Sequence, residues 1–456
     1  MKNIITEKHR VHSRAKRLIA LIFAVFFVFS APVTASAAAV GDVYASDVGL
    51  ETNHIKGAYL YNLENDFTVL AYAAEDTVYP TATVKIMSGI LAIEHLSTRM
   101  SENVTVTPEM LDGVGGNNIK LKAGEIISIE NLLYAMLVGG ANDAAHVLAH
   151  VIAGSVEAFV EMMNKRAMDL GAVGTHYTNP SGIHDSEMYT TVADTAKIAL
   201  HAYSLPRFME ITSTTKHVIP ETNMSEYRNV YNRNYLISTS SVMKYFYADA
   251  SGMNAGSTSQ GGYCLVTTAH RDGLTYLAIV MGADSDEGKD LIYSYTECKK
   301  LLDFAFASYG NIELVKEGEM ICEIPVTLSG TTDYVTLVTK EPMSMYLPLS
   351  TDLETEIKRS YKTSFDSLTA PVSAGEVAGV MTVMYNDEIV GNIELVTTVA
   401  VARSEFLYTL EQIKEFATSR FFISTVIAAV VLTVLYVIGK AIYLHRKKTR
   451  RIRYTR

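Results

Sequence analysis

Nineteen consecutive residues near the end of the chain, Phe421 to Gly439, carry no charge. At about 1.5 Å of rise per residue, a helix of that length reaches across the hydrocarbon core of a bilayer. Eight basic residues and no acidic one follow between Lys440 and Arg456. A buried core helix would not call for such a block, whereas a membrane span does, because basic flanks stay on the cytoplasmic side. Residues 421–439 therefore read as a single-pass transmembrane helix and residues 440–456 as a cytoplasmic tail. Everything before Phe421 is expected outside the cytoplasm.

The other end of the chain agrees. Leu18 to Phe29 is a run of twelve apolar residues, preceded by Lys8, Arg10, Arg14, Lys16 and Arg17 and followed by Ala35-Ser36-Ala37. This charged, apolar, small-residue order is that of a secretory signal peptide over residues 1–39. The apolar run is too short to serve comfortably as an anchor. These two segments account for a positive mean hydropathy of +0.14 in a chain whose remainder is polar enough to be soluble. Between them, 25 Lys and Arg face 48 Asp and Glu, a net charge near −23 for residues 40–439. Such a surface does not bind nucleic acid through bulk charge. Cys264, Cys298 and Cys322 are too few for a disulfide-stapled module and lack metal-ligand spacing. No metal site and no cofactor is expected.

The intervening chain changes texture once. Gly57 to Tyr61 and Thr68 to Tyr72 read as a hairpin around Asn62–Asp66. Glu130 to His150 is helical in period, broken by Gly139-Gly140-Ala141-Asn142, with Asn142 or Asp143 suited to cap the second piece. Val156 to Leu170 is an amphipathic helix stopped by Gly171. Gly262 to Val280 gives two strands joined by Arg271-Asp272-Gly273, and Asp290 to Ser308 a closing helix. From residue 311 to 402 only short alternating runs recur, which is the pattern of a small all-β domain. Residues 403–420 place Phe406, Leu407, Leu410, Ile413 and Phe416 on one side, as in a helix lying along a membrane surface.

The stretch Tyr79-Pro80-Thr81-Ala82-Thr83-Val84-Lys85-Ile86-Met87 opens an apolar helix running toward Leu96. It resembles the nucleophile helix of the D-alanyl-D-alanine carboxypeptidase family, the low-molecular-mass penicillin-binding proteins. That family carries Ser-x-x-Lys within a Pro-Ala-Ser-Thr-Thr-Lys-Ile-Met-like run. Lys85 is in place, but the serine position is Ala82. The family's second motif, Ser-x-Asn before Asp-Ala-Ala, is matched by Gly140-Ala141-Asn142-Asp143-Ala144-Ala145, which keeps the asparagine and lacks the serine. The third, Lys-Thr-Gly, falls on Asn254-Ala255-Gly256, with Thr258 also fitting. Thr175 to Asp185 is similar to the family's Thr-His-Phe-x-Asn-Pro-x-Gly-Leu-x-Asp loop, in which His184 reads as a satisfied loop histidine. Leu368 to Val372, Gly375, Gly379 and Gly391 are similar to its β-rich C-terminal domain. The resemblance covers residues 42–400.

The resemblance implies an α/β fold over residues 40–310, a penicillin-binding-protein/β-lactamase-like domain with an antiparallel sheet flanked by helices. It implies serine-type hydrolysis of peptidoglycan stem peptides, with the equivalents of Ala82, Lys85, Gly140 and Asn142 catalytic. Asn142, Asn254, Ala255, Gly256 and Thr258 would then hold the substrate. Alanine has no atom that can attack a carbonyl; Thr81 and Thr83, which flank Ala82, are turned about 100° away from Lys85 by helical geometry, and Ser88 lies one turn beyond Lys85, on the wrong side. Lys85 without a serine reads as a structural lysine, pairing with an acidic group or with Asn142. The expectation is a non-catalytic homologue that binds stem peptides or a cell-wall synthesis protein. The alternatives are an active carboxypeptidase with rearranged groups, and a scaffold acting through the β domain and the basic tail.

Overall fold

A computed structural model describes residues 43–238 and 243–453. The expected signal peptide lies outside the described residues. The chain divides into two compact units, one of residues 43–312 with Tyr346–Thr351, the other of Glu313–Met345 with residues 352–453.

The first unit is built on a five-stranded antiparallel sheet. Its strands are β1 (Gly57–Asn62), β2 (Phe67–Tyr72), β3 (Ala250–Thr258), β4 (Gly262–Arg271) and β5 (Leu274–Ala283), in the order β2-β1-β5-β4-β3. The β4–β5 turn is Asp272-Gly273, both at positive φ (51° and 79°), the backbone that a two-residue hairpin requires. The helices that pack around it include α1 (Val84–Leu96), α2 (Ile129–Leu137), α3 (Asn142–Ala153), α4 (Val156–Asp169), α5 (Val192–Tyr203) and α6 (Tyr293–Ser308). Strand residues alternate between faces. Leu277, Ile279 and Met281 of β5 enter one core with α1 to α5, while Tyr276, Ala278 and Val280 enter a second with Cys298, Leu301, Leu302 and Ala305 of α6. Helices therefore cover both faces, which is why β5 reads as an unbroken apolar run rather than an alternating one.

Helix α1 sits in the middle of the first core, and only Glu94 and His95 of its thirteen residues are exposed. Burying each large apolar side chain there contributes roughly 1.5–3 kcal/mol. Helix α3 starts differently from the sequence reading. Ala141 takes the cap position and Asn142 is the first helical residue. Asp143 is occupied elsewhere, its carboxylate accepting from the backbone N–H groups of Ile119 (3.1 Å) and Leu121 (3.0 Å).

The second unit carries a six-stranded sheet of β6 (Met320–Thr327), β7 (Tyr334–Thr339), β8 (Ile357–Thr363), β9 (Leu368–Thr369), β10 (Val377–Tyr385) and β11 (Glu388–Thr397). Their order is β8-β10-β11-β7-β6-β9, and only β6–β9 is parallel. Leu337, Val383 and Leu395 are fully buried in it. After this sheet come α7 (Glu405–Thr418), capped by the Ser404 hydroxyl, and α8 (Arg420–Arg453). Phe406, Leu410, Ile413 and Phe416 of α7 are all exposed. Within α8, Arg420–Arg446 has 27 residues, a mean hydropathy of 2.7 and no buried share, which is long and apolar enough to cross a membrane.

Candidate functional site

Three segments distant in sequence converge on a cleft of about 350 Å³ in the first unit. The first is the entry to α1. Thr81–Thr83 forms a single 3-10 turn, closed by the Thr83 hydroxyl donating to the Pro80 carbonyl at 2.6 Å, and it presents Ala82 to the cleft. One turn on, Lys85 projects from a buried stem. Its Nζ donates to the Ser181 carbonyl at 2.5 Å, and the Ser88 hydroxyl donates to the Pro180 carbonyl at 2.7 Å. The expected pairing of Lys85 with an acid or with Asn142 does not form, because the loop at Pro180-Ser181 lies against this face of α1 instead. That loop is held by Asn179, whose Oδ1 accepts from the backbone N–H groups of Ser181 (3.2 Å) and Gly182 (2.8 Å).

The second segment is the start of α3. Asn142 is buried and its Nδ2 donates to the Gly115 carbonyl at 2.8 Å. Asn117 donates from its side chain to the Gly139 carbonyl at 2.8 Å. Together with the Asp143 contacts, these bonds tie residues 115–121 down as the roof of the site. Gly140 stands beside Asn142 at φ +69°, a conformation that L side chains rarely adopt.

The third segment is the free edge of β3. Ala255, Gly256, Ser257 and Thr258 line the cleft. A β-carbon on Gly256 would stand 2.4 Å from the Ala82 methyl, so strand and helix entry can approach this closely only through glycine. The Thr258 hydroxyl accepts from the Gly261 N–H at 2.9 Å and closes the turn into β4. Asn254 does not line the cleft, contrary to expectation. Its short side chain ends inside the protein, and its Oδ1 is buried with no hydrogen-bond partner among the described residues.

Of the residues singled out from sequence, Ala82, Lys85, Gly140, Asn142, Ala255, Gly256 and Thr258 are brought together here. Thr81, Thr83 and Ser88 are buried and stay out of the cleft. His184 does line it, edge-on to the Tyr79 ring at 4.7 Å, so it is a site residue rather than only a loop residue.

Sequence reasoning missed Arg233. It follows Asn232 and precedes Asn234, both buried. Asn232 Nδ2 donates to the Thr212 and Thr214 carbonyls (2.8 and 2.9 Å), and Asn234 Nδ2 donates to the Gly252 carbonyl at 3.0 Å. Two buried asparagines that each bond their own neighbouring backbone fix a turn, and the arginine between them is left outside, facing the cleft. The available signal was a lone cation between two turn-forming residues. Burial lowers the Lys85 ammonium to about 7, the nearby Arg233 charge adds to the effect, and Asp143 opposes it. No aspartate or glutamate is among the described residues lining the cleft.

Comparison with known proteins gives the same frame. The profile described as D-alanyl-D-alanine carboxypeptidase matches residues 58–285, half of the chain, and the one described as penicillin-binding protein 5, C-terminal domain, matches residues 309–403. D-alanyl-D-alanine carboxypeptidase DacF of Bacillus subtilis is 26% identical over 376 residues, covering 81% of this chain and 92% of its own length. DacA of Haemophilus influenzae is 28% identical over 312 residues, covering 66% of this chain and 73% of its own. The solved structure of penicillin-binding protein 5 from Haemophilus influenzae shares the fold with a TM-score of 0.54 at 24% identity, covering 77% of this chain and 98% of that one. The chain belongs to the D-alanyl-D-alanine carboxypeptidase family, the low-molecular-mass penicillin-binding proteins.

Proposed function

We propose that this protein is a non-catalytic member of its family that holds peptidoglycan stem peptides in a cleft which has lost its nucleophile. The observation that carries this reading is Ala82. A methyl group stands where acyl transfer needs a hydroxyl, and the neighbouring hydroxyls of Thr81, Thr83 and Ser88 are buried outside the cleft. Removing a serine nucleophile in another serine hydrolase costs on the order of 10⁶ in turnover. The cleft would be displayed outside the cytoplasmic membrane, with α8 as the anchor, the basic tail inside, and the exposed apolar face of α7 along the bilayer surface.

The test uses the full-length protein in detergent, a muropeptide ending in D-Ala-D-Ala, and a penicillin. The expected result is no release of D-alanine above the blank and no mass adduct. An unimpaired rate of D-alanine release, or a stable acyl adduct on the wild-type chain, overturns the reading.

A second reading, a hydrolase with rearranged groups, draws on one observation. An amine lowered to about 7 is substantially neutral at physiological pH and could accept a proton. It requires that Lys85→Ala abolish a measurable activity.

A further inference from the structure

Helix α8 does not stop where its apolar run stops. It continues unbroken through Lys440 to Arg453, and this last stretch carries Lys440 and six further basic residues between Arg446 and Arg453. The last acidic residue in the sequence is Glu415, ahead of the apolar run, so the stretch holds no carboxylate to offset these charges. Arg446 and Arg450 are four positions apart, and so are Lys447 and Arg451. Like charges at that spacing oppose a helix. The stretch is helical all the same, and anions gathered around it would remove the conflict.

Its place along the helix says which anions. Ile442, Tyr443 and Leu444 are exposed apolar residues, and one turn before them Lys440 Nζ stands over the exposed Tyr436 ring, 5.9 Å from its centroid. Exposed tyrosines beside a lysine are what a span carries where hydrocarbon gives way to headgroups. At about 1.5 Å per residue, Lys448 stands roughly 14 Å past Gly439. The headgroup layer takes up about 5–8 Å of that, and a charged surface is felt for a further 8–10 Å or so. Lys440, Arg446, Lys447 and Lys448 therefore stand at headgroup depth or within a Debye length of it. At about 100° per residue the seven basic positions spread over more than half of the helix circumference, which suits a helix surrounded by headgroups better than one laid flat on them.

We infer that Lys440 to Arg453 is a docking segment for anionic phospholipids, gathering headgroups of net negative charge around the end of the span. Lysine meets a lipid phosphate as a point charge and arginine meets it through two parallel hydrogen bonds. The inference rests on the reading above that α8 spans the bilayer, and the test separates the two.

Full-length protein is reconstituted into phosphatidylcholine bilayers holding a trace of spin-labelled phosphatidylglycerol or spin-labelled phosphatidylcholine. Electron paramagnetic resonance then reads the motionally restricted fraction of each label. Wild type should hold the anionic label about 3- to 10-fold more strongly than the neutral one at low ionic strength, and the preference should shrink as salt is raised. A variant combining Arg446→Gln, Lys447→Gln, Lys448→Gln, Arg450→Gln and Arg451→Gln should hold the two labels nearly alike, its neutral label reporting that it is still inserted. Equal restriction of both labels by wild type overturns the docking segment, leaves the anchor standing and returns the basic block to a soluble acidic partner. A preference undiminished in the variant overturns it as well. No restricted fraction for either label overturns both the docking segment and the anchor.

Discussion

The helical wall of the cleft and its strand wall hold their polar groups on opposite terms. On the helical wall, Lys85, Ser88, Asn142 and Asp143 all bond to backbone groups of the two loops that frame the site. On the strand wall, Asn254 keeps a buried oxygen without a partner among the described residues, and Ala255 contributes its methyl to the core beneath α6. A polar side chain bonded to a loop does structural service whether or not it does chemistry. A polar side chain that would face a ligand has no such second duty, and here it is replaced or orphaned. The comparison separates the frame of an active site from its reactive atoms.

The largest expected effect comes from returning the missing atom to the helical wall. Ala82→Ser should acquire an acyl adduct of one penicillin molecule by intact mass, with a gain in acylation rate of several orders of magnitude on the scale of about 10⁶ set by nucleophile removal. Lys85, lowered to about 7, is available to take the serine proton. If Ala82→Ser stays unmodified, the losses on the strand wall are decisive by themselves.

Next in size is the charge on Lys85. The folded protein binds its proton only below about 7, whereas an unperturbed lysine holds it up to 10.5. Between those values the unfolded chain binds more protons, so the stability contribution of this group rises with pH. Its burial penalty is full below about pH 7 and fades toward 10.5. Lys85→Met should therefore melt above wild type at pH 6, with a gain of several kcal/mol as an upper bound from the size of the shift, offset by the lost bond to Ser181. The gap should narrow by pH 10. A gap that does not change with pH would remove burial as its cause.

The smallest effects set the two walls directly against each other. Ser88→Ala leaves the buried Pro180 carbonyl without its donor and should cost about 1 kcal/mol in chemical denaturation. Asn254→Leu removes an unsatisfied oxygen from the strand wall and should cost nothing or stabilise by about 1 kcal/mol. Equal losses from both variants would erase the distinction.

Much of this was legible in the sequence because it depends on local pattern. The apolar run at Val84 to Leu96, the Asp272-Gly273 turn and the shift to short alternating strands after residue 311 each follow from periodicity or turn chemistry. The helix starts were less legible. Asn142 and Asp143 have capping side chains, yet both are drawn to the loop at residues 115–121, and Ala141 is left at the cap. Lys85 likewise finds a carbonyl 96 residues away instead of an acid.

By itself the sequence determined the family frame, the uncharged span at residues 421–439 and the absence of a hydroxyl at Ala82, since each is a statement about which atoms the chain contains and at what spacing. Only the tertiary structure decided which side chains share the cleft. Arg233 enters it because Asn232 and Asn234 are anchored on either side, and Asn254 is left out, its Oδ1 buried with no hydrogen-bond partner among the described residues. The physical reason is reach: a side chain acts where the backbone beneath it is pinned, and the pins here are hydrogen bonds between segments that the sequence keeps tens of residues apart.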